Sequence, residues 1–310
     1  MFSRTTKRVG VVAAALGLTV ALASCAGGGD PLDPGTGDGG DAGGTITIGN
    51  QAFPESELLA QIYGQYLEAN GYEVSYEAGI GSRETFVAAL QDGSIDLIPD
   101  YAGNALIFAN PDAEETSPED VEAALPAALE ELGLAVTAAA PGEDSDALVV
   151  TSEFAGENDL QTIGDLAPLA SEITLGANTE FEPRWRDALA EVYGFEGWSF
   201  KAIDDYGGPG TLADLLAGAI QVADIYTTTP SIAANDLVVL EDDLDMFAAQ
   251  NVIPLLNAEA LTDELAALLD EVSAEITTDV LLELNGLMAG DAKPSAAQVA
   301  SDWLAEVGLV

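Results

Sequence analysis

Residues 79–104, GIGSRETFVAALQDGSIDLIPDYAGN, restrict the fold more than any other stretch of this chain. They read as a helix running into a strand that finishes at an exposed polar turn. Ser82 can cap the helix and Glu84 sits in its first turn, where an acid meets the positive end of the helix dipole. Phe86, Val87 and Leu90 recur at helical spacing, and Gly93 stops the helix. Ile95, Leu97 and Ile98 form a short apolar run of the buried kind, closed by Pro99 ahead of Asp100, Tyr101, Gly103 and Asn104. In open α/β sheets, ligands settle where strands finish and helices begin, because loop side chains and free N–H groups converge there. Tyr101 is therefore the first candidate for a ligand contact.

The rest of the chain repeats this alternation. Residues 45–49 (TITIG) alternate like a first strand, and Pro54-Glu55 opens a helix whose stripe of Leu58, Leu59, Ile62, Tyr63, Tyr66 and Leu67 ends at Asn70-Gly71. Further strands are expected at 72–78, 134–140, 147–151, 173–177, 198–203, 222–228, 237–241 and 251–257. Helices are expected after Ser117-Pro118, over 180–193 and 211–217, and at 262–274, 278–288 and 295–307. Strand and helix taking turns in this way imply an α/β fold. The expected organisation is a first lobe of residues 45–143 and 251–310 and a second of 144–250, with the chain crossing near 141–146 and returning through 237–241 and 251–257.

The formal charge is −46 across 310 residues, and the eight cationic residues face 54 acidic ones. Without residues 1–24, which carry Arg4, Lys7 and Arg8, five cations remain and the charge becomes −49. Such a surface repels nucleic acid and anionic lipid headgroups. With no histidine and one cysteine, Cys25, neither Cys/His zinc sites nor the histidine-dependent nucleophilic mechanisms are available, and no loop has EF-hand spacing. No cofactor is expected. Residues 1–24 have a basic start and an apolar run from Val9 to Leu22, the form of a secretory signal. The following residues, from Ala26 to Gly44, are rich in glycine and should act as a flexible tether.

The segments IGNQAF, GSRETFVAALQDGSIDLIPDYAGN, TEFEPR, GTLADLLAGAIQVADIYTTTPSI and TDELAALLDEVSAEITTDVLLELN stand in an order and spacing that resembles the solute-binding lipoproteins of ABC transporters for glycine betaine, choline and related osmoprotectants. The resemblance covers roughly Thr45 to Val307. It implies a two-lobe periplasmic-binding-protein-like fold of type II, with two crossovers, that closes on a small ligand. Leu22-Ala23-Ser24-Cys25 resembles a lipoprotein box, which would make Cys25 the lipidated first residue of a protein tethered outside the cytoplasm. The implied partners are an osmoprotectant-like solute and an ABC permease with its ATPase, the binding protein itself being a monomer.

Position by position, the resemblance puts Tyr101 on one wall of an aromatic box, Asn104 at a nearby polar contact, and Arg184 at the carboxylate-binding arginine. Tyr226 would face the same cleft from the second lobe, and Gln51 follows the first strand where a polar residue lies near the ligand. A quaternary ammonium cannot donate a hydrogen bond, so aromatic faces must hold it at about 0.5–2 kcal/mol each. Where the family has further tyrosines this chain has Asp146 and Leu212, so two walls of the box are expected to be missing; Asp146 could attract a cation or accept from a ligand amine or hydroxyl. Trp185, Trp198 and Trp303 are expected to pack in cores. A different solute on the same fold stays open, whether a polar amine, an amino acid derivative or a phenolic compound. So do an enzyme on a similar scaffold and a surface lipoprotein without a transport role.

Overall fold

The computed structural model describes residues 44–290 and 292–310, so the expected signal segment, Cys25 and the tether up to residue 43 lie outside the described residues. Among the described residues, ten strands form two five-stranded sheets. In chain order they are β1 (Thr45–Gln51), β2 (Glu73–Ile80), β3 (Leu97–Tyr101), β4 (Leu134–Val136), β5 (Leu148–Thr151), β6 (Thr174–Ala177), β7 (Ser199–Ala202), β8 (Val222–Asp224), β9 (Leu237–Val239) and β10 (Val252–Asn257). The first sheet has the order β2-β1-β3-β10-β4 and the second β7-β6-β8-β5-β9.

Both sheets follow one plan. Three strands run parallel (β1 with β2 and β3; β6 with β7 and β8), as helical crossovers require. Beside the third lies a strand that arrives from the other sheet and runs antiparallel, β10 in the first and β5 in the second. The chain passes between the sheets twice, over 137–147 and 240–251, and the two passages run side by side. Glu143 and Asn251 form an antiparallel bridge, the Asp144 amide donates to the Gln250 carbonyl (3.2 Å), and the Val252 amide to the Gly142 carbonyl (3.0 Å).

Each sheet has its own core. In the first, Leu58, Leu59, Ile62, Tyr63, Tyr66 and Leu67 of the helix Pro54–Ala69 are buried against Trp303 and Leu304 of the last helix, and the Tyr63 hydroxyl meets Ser273 Oγ at 2.9 Å. Trp185, Phe195 and Trp198 anchor the second. All three tryptophans are buried, as expected of packing residues. Fully burying one such large apolar side chain contributes about 1.5–3 kcal/mol, so these stripes dominate each lobe's stability.

Several expectations change in detail. Pro99 does not end its strand: it sits opposite Pro254 in the middle of the β3–β10 ladder, where an antiparallel pairing has non-hydrogen-bonded positions that tolerate a missing N–H. The turn after it is not exposed, since Asp100 and Tyr101 are buried and Tyr101 leads directly into the helix Ala102–Ala109. Ser82 stands at its helix start, but its hydroxyl makes no capping bond; its carbonyl instead accepts from the Thr85 and Phe86 amides. Leu237–Val239 pairs with β5 and so belongs to the second sheet rather than the return crossing. β8 stops at Asp224, which leaves Tyr226 in the turn beyond it. Short helices at Ser152–Asn158 and Ser231–Ala234 were not indicated by the pattern.

Candidate functional site

The ends of both sheets meet at a small, partly open cavity between the lobes, and Gln51, Tyr101, Asn104, Asp146, Arg184 and Tyr226 all line it. Its volume is about 40 Å³, room for only a few waters, so the lobes stand close together here. Gln51 ends β1, Tyr101 ends β3, and Asn104 lies in the first turn of the helix Ala102–Ala109. From the other lobe, Arg184 comes from the helix Phe181–Tyr193, and Tyr226 from the turn after β8. Arg184 Nη1 donates to Asn104 Oδ1 across the gap at 3.3 Å.

Two rings that the sequence did not single out complete an aromatic cluster. Phe53, the residue before the helix Pro54–Ala69, stacks on Tyr101 with centroids 6.3 Å apart, and lies 5.7 Å from Tyr206 and 6.1 Å from Tyr226. Asp146 lines the cavity and Leu212 a neighbouring groove, while Phe53 and Tyr206 add two rings to the cavity wall. Tyr206 is held in a left-handed backbone conformation (φ 53°), which a non-glycine residue adopts only when its surroundings impose it. Asp205 imposes it, its carboxylate accepting from the Gly208, Gly210 and Thr211 amides at 3.1, 2.6 and 3.1 Å and from Thr211 Oγ1 at 2.6 Å.

The two arginines in the cavity wall differ in how far they are already committed. Arg83 grips the fully buried Asp100 through both terminal nitrogens, with Nη2 to Oδ1 at 2.8 Å. Arg184 has only longer contacts, 3.3 Å to Asn104 Oδ1, 3.4 Å to Glu180 Oε2 and 3.8 Å to Asp146 Oδ2, and its side chain is 28% exposed. A planar guanidinium without a short bidentate partner is the group that can take a ligand carboxylate.

Acids surround the rings. Glu55 is buried at the helix start and accepts from the Tyr101 hydroxyl (2.7 Å), from Thr228 Oγ1 of the other lobe (2.6 Å) and from the Asn285 amide. Asp144 accepts from the Thr228 amide at 2.9 Å. Burial pushes the carboxyls of Asp144, Asp146 and Asp224 above the usual aspartate range; the neighbouring Glu55 adds to this for Asp144 and the neighbouring Asp146 for Asp224. Arg184 pulls Asp146 back in the other direction. Burial, with Glu55 and Asp144 nearby, likewise raises the Tyr101 phenol. Asp146 Oδ2 is buried yet has no hydrogen-bond partner, so a cavity-lining acceptor remains open for a ligand donor. Among the described residues no group of three or more carboxylates is placed to hold a metal ion.

Phe53, Arg83, Asp144 and Tyr206 were therefore missed as lining residues. Phe53 had a signal in an apolar residue at a helix N-cap, a position that normally calls for a polar side chain. Tyr206 had one in an aromatic residue followed by Gly207-Gly208.

A model of the family described as the substrate binding domain of ABC-type glycine betaine transport systems matches residues 44–306. Over 279 residues the chain is 26% identical to the glycine betaine-binding protein YehZ of Escherichia coli (strain K12), spanning 85% of this chain and 90% of that protein. Over 255 residues it is 26% identical to the carnitine transport binding protein OpuCC of Listeria monocytogenes serotype 1/2a (strain 10403S), spanning 80% and 82%. A crystal structure of a glycine betaine/carnitine/choline ABC transporter superposes with a TM-score of 0.69 at 23% identity, over 85% of this chain and 99% of that one. This likeness shows the fold, the two-lobe α/β architecture of type II periplasmic binding proteins.

Proposed function

The chain belongs to the family of substrate-binding domains of ABC-type glycine betaine transport systems, and from that premise we propose that it captures an osmoprotectant of the glycine betaine or choline type in the cavity between its lobes. Members of this family are transport proteins that bind solutes outside the cytoplasm and deliver them to a permease. The observation that carries the ligand reading is the meeting of a loosely held guanidinium, Arg184, with the rings of Phe53, Tyr101, Tyr206 and Tyr226 around one small cavity. The rings would take the methylammonium group and Arg184 the carboxylate, each in a site shielded from water.

Capture would begin with the lobes parted more widely than here, since the cavity now has room for only a few waters, and would end in closure, the closed state gaining the contacts that the ligand makes to both lobes at once. The paired passages around Glu143 and Asn251 are the proposed hinge, dividing lobe 45–143 with 251–310 from lobe 144–250. We extend the reading to a monomer tethered by lipid at Cys25. In Cys25→Ser, lipid labelling should vanish and the protein should leave the membrane fraction; retention of both would overturn the tether.

One observation favours a second reading of the ligand. The unpartnered Asp146 Oδ2 would suit a cation that also carries a hydroxyl or N–H donor. A thermal-shift panel of glycine betaine, choline, carnitine, proline, ectoine and phenolic compounds tests both. A ligand at a hundred times its Kd stabilises by about 2.7 kcal/mol. Shifts from the quaternary ammonium compounds are expected, and a panel in which none of them raises Tm would contradict the proposal.

A further inference from the structure

A second chamber adjoins the cavity, and Phe53, Asp144, Tyr206 and Tyr226 form walls of both. Its volume is about 360 Å³, more than twice the roughly 150 Å³ that suffices for a benzene ring. Beyond the shared wall it is surfaced largely by Pro209, Leu212, Pro230 and Met288. The chamber therefore changes character along its length, from a carboxyl flanked by rings at the junction to an apolar floor further out. The junction is also the most firmly built part of the region. Asp205 fixes the Tyr206 turn through four hydrogen bonds, and the Thr228 amide fixes Asp144.

We propose that the chamber receives an apolar substituent of the same ligand whose ammonium group sits at the shared wall, so that the preferred solute is an ammonium compound bearing an aryl or short alkyl arm. The inference rests on the reading of the inter-lobe cavity as an ammonium site. An ammonium centre is tetrahedral, so a compound with its carboxylate arm towards Arg184 can direct another substituent to the side of the shared wall where Leu212 and Met288 lie; the Phe53 and Tyr226 rings, whose centroids are 6.1 Å apart, must part to admit it. A methyl group there leaves the chamber to water. An aryl group covers Leu212 and Met288, and burying apolar surface is favourable roughly in proportion to its area. Leu212 and Met288 supply the largest apolar side chains of that floor.

The test is isothermal calorimetry with two probes, glycine betaine and its analogue in which one N-methyl is replaced by benzyl. The benzyl compound is expected to bind the wild-type protein at least tenfold more tightly. Leu212 and Met288 are both half-buried, and Leu212 belongs to neither lobe's core whereas Met288 packs at the edge of the first, so Leu212→Trp fills the chamber from outside the cores and Met288→Trp serves as a second variant once its melting curve shows it folded. In either variant the ratio of the two dissociation constants should fall close to one. Equal affinities in the wild type, or a benzyl advantage that survives both substitutions, would overturn the inference while leaving the ammonium site standing. Binding of neither probe to the wild type would instead overturn the ammonium site itself, and this inference with it.

Discussion

Arg83 and Arg184 reach the same cavity but do different work. Arg83 neutralises the fully buried Asp100, and removing one partner of a buried pair strands the other charge at a cost of about 3–5 kcal/mol. Arg83→Ala is therefore expected to lower the urea midpoint steeply. Arg184 is partly exposed and makes only long contacts, so Arg184→Ala should leave that midpoint nearly unchanged while weakening ligand binding more than tenfold. Denaturation and binding curves on both variants check the contrast, which a large stability loss in Arg184→Ala would undo. The resemblance gave Arg184 its role, whereas the sequence analysis assigned none to Arg83. That Arg83 is tied to Asp100 was hidden because the pair forms only when the helix Arg83–Asp92 folds back beside β3.

The elements around the cavity show why some parts of the fold are legible and others are not. The helix Pro54–Ala69 announces itself through an apolar stripe, and the alternating strands through period-two patterns, because each buries one face against a neighbour of the same lobe. The turn at Asp205-Tyr206-Gly207-Gly208 has no such periodicity; its shape comes from one carboxylate collecting four donors. Pro99 misled for a related reason, since its tolerance depends on Pro254, a residue far away in the chain. Asp205→Ala is expected to cost about 1–2 kcal/mol through the lost capping of the helix Pro209–Leu216. It should also release Tyr206 and weaken ligand binding several-fold. Unaltered affinity in that variant would show that the Tyr206 ring is not part of the ligand's surroundings.

Across the whole molecule the excess of acid has an unusual consequence for pH. Asp144, Asp146 and Asp224 are all raised, chiefly by burial, whereas in the unfolded chain each titrates near 3.9. Between that value and the raised ones, the folded protein holds more protons than the unfolded. Stability is then fully present below pH of about 3.9 and is lost as pH rises through the folded values. Relief of the net charge of −46 acts in the same direction. Tm should therefore be higher at pH 5 than at pH 8, and Asp224→Asn should flatten the slope; a Tm that falls on acidification to pH 5 would contradict this. The acid-rich wall also bears on function, because a cation bound beside these raised carboxyls would favour their charged form. The most direct test of that function is a calorimetric titration of glycine betaine and choline into the wild-type protein, Tyr101→Ala and Arg184→Ala, with melting curves to confirm that each is folded. Saturable one-to-one binding to the wild type, weakened more than tenfold in each variant for glycine betaine, is the expected result. Affinity for both compounds that is unchanged in both folded variants would mean that the cavity between the lobes is not where the solute is held.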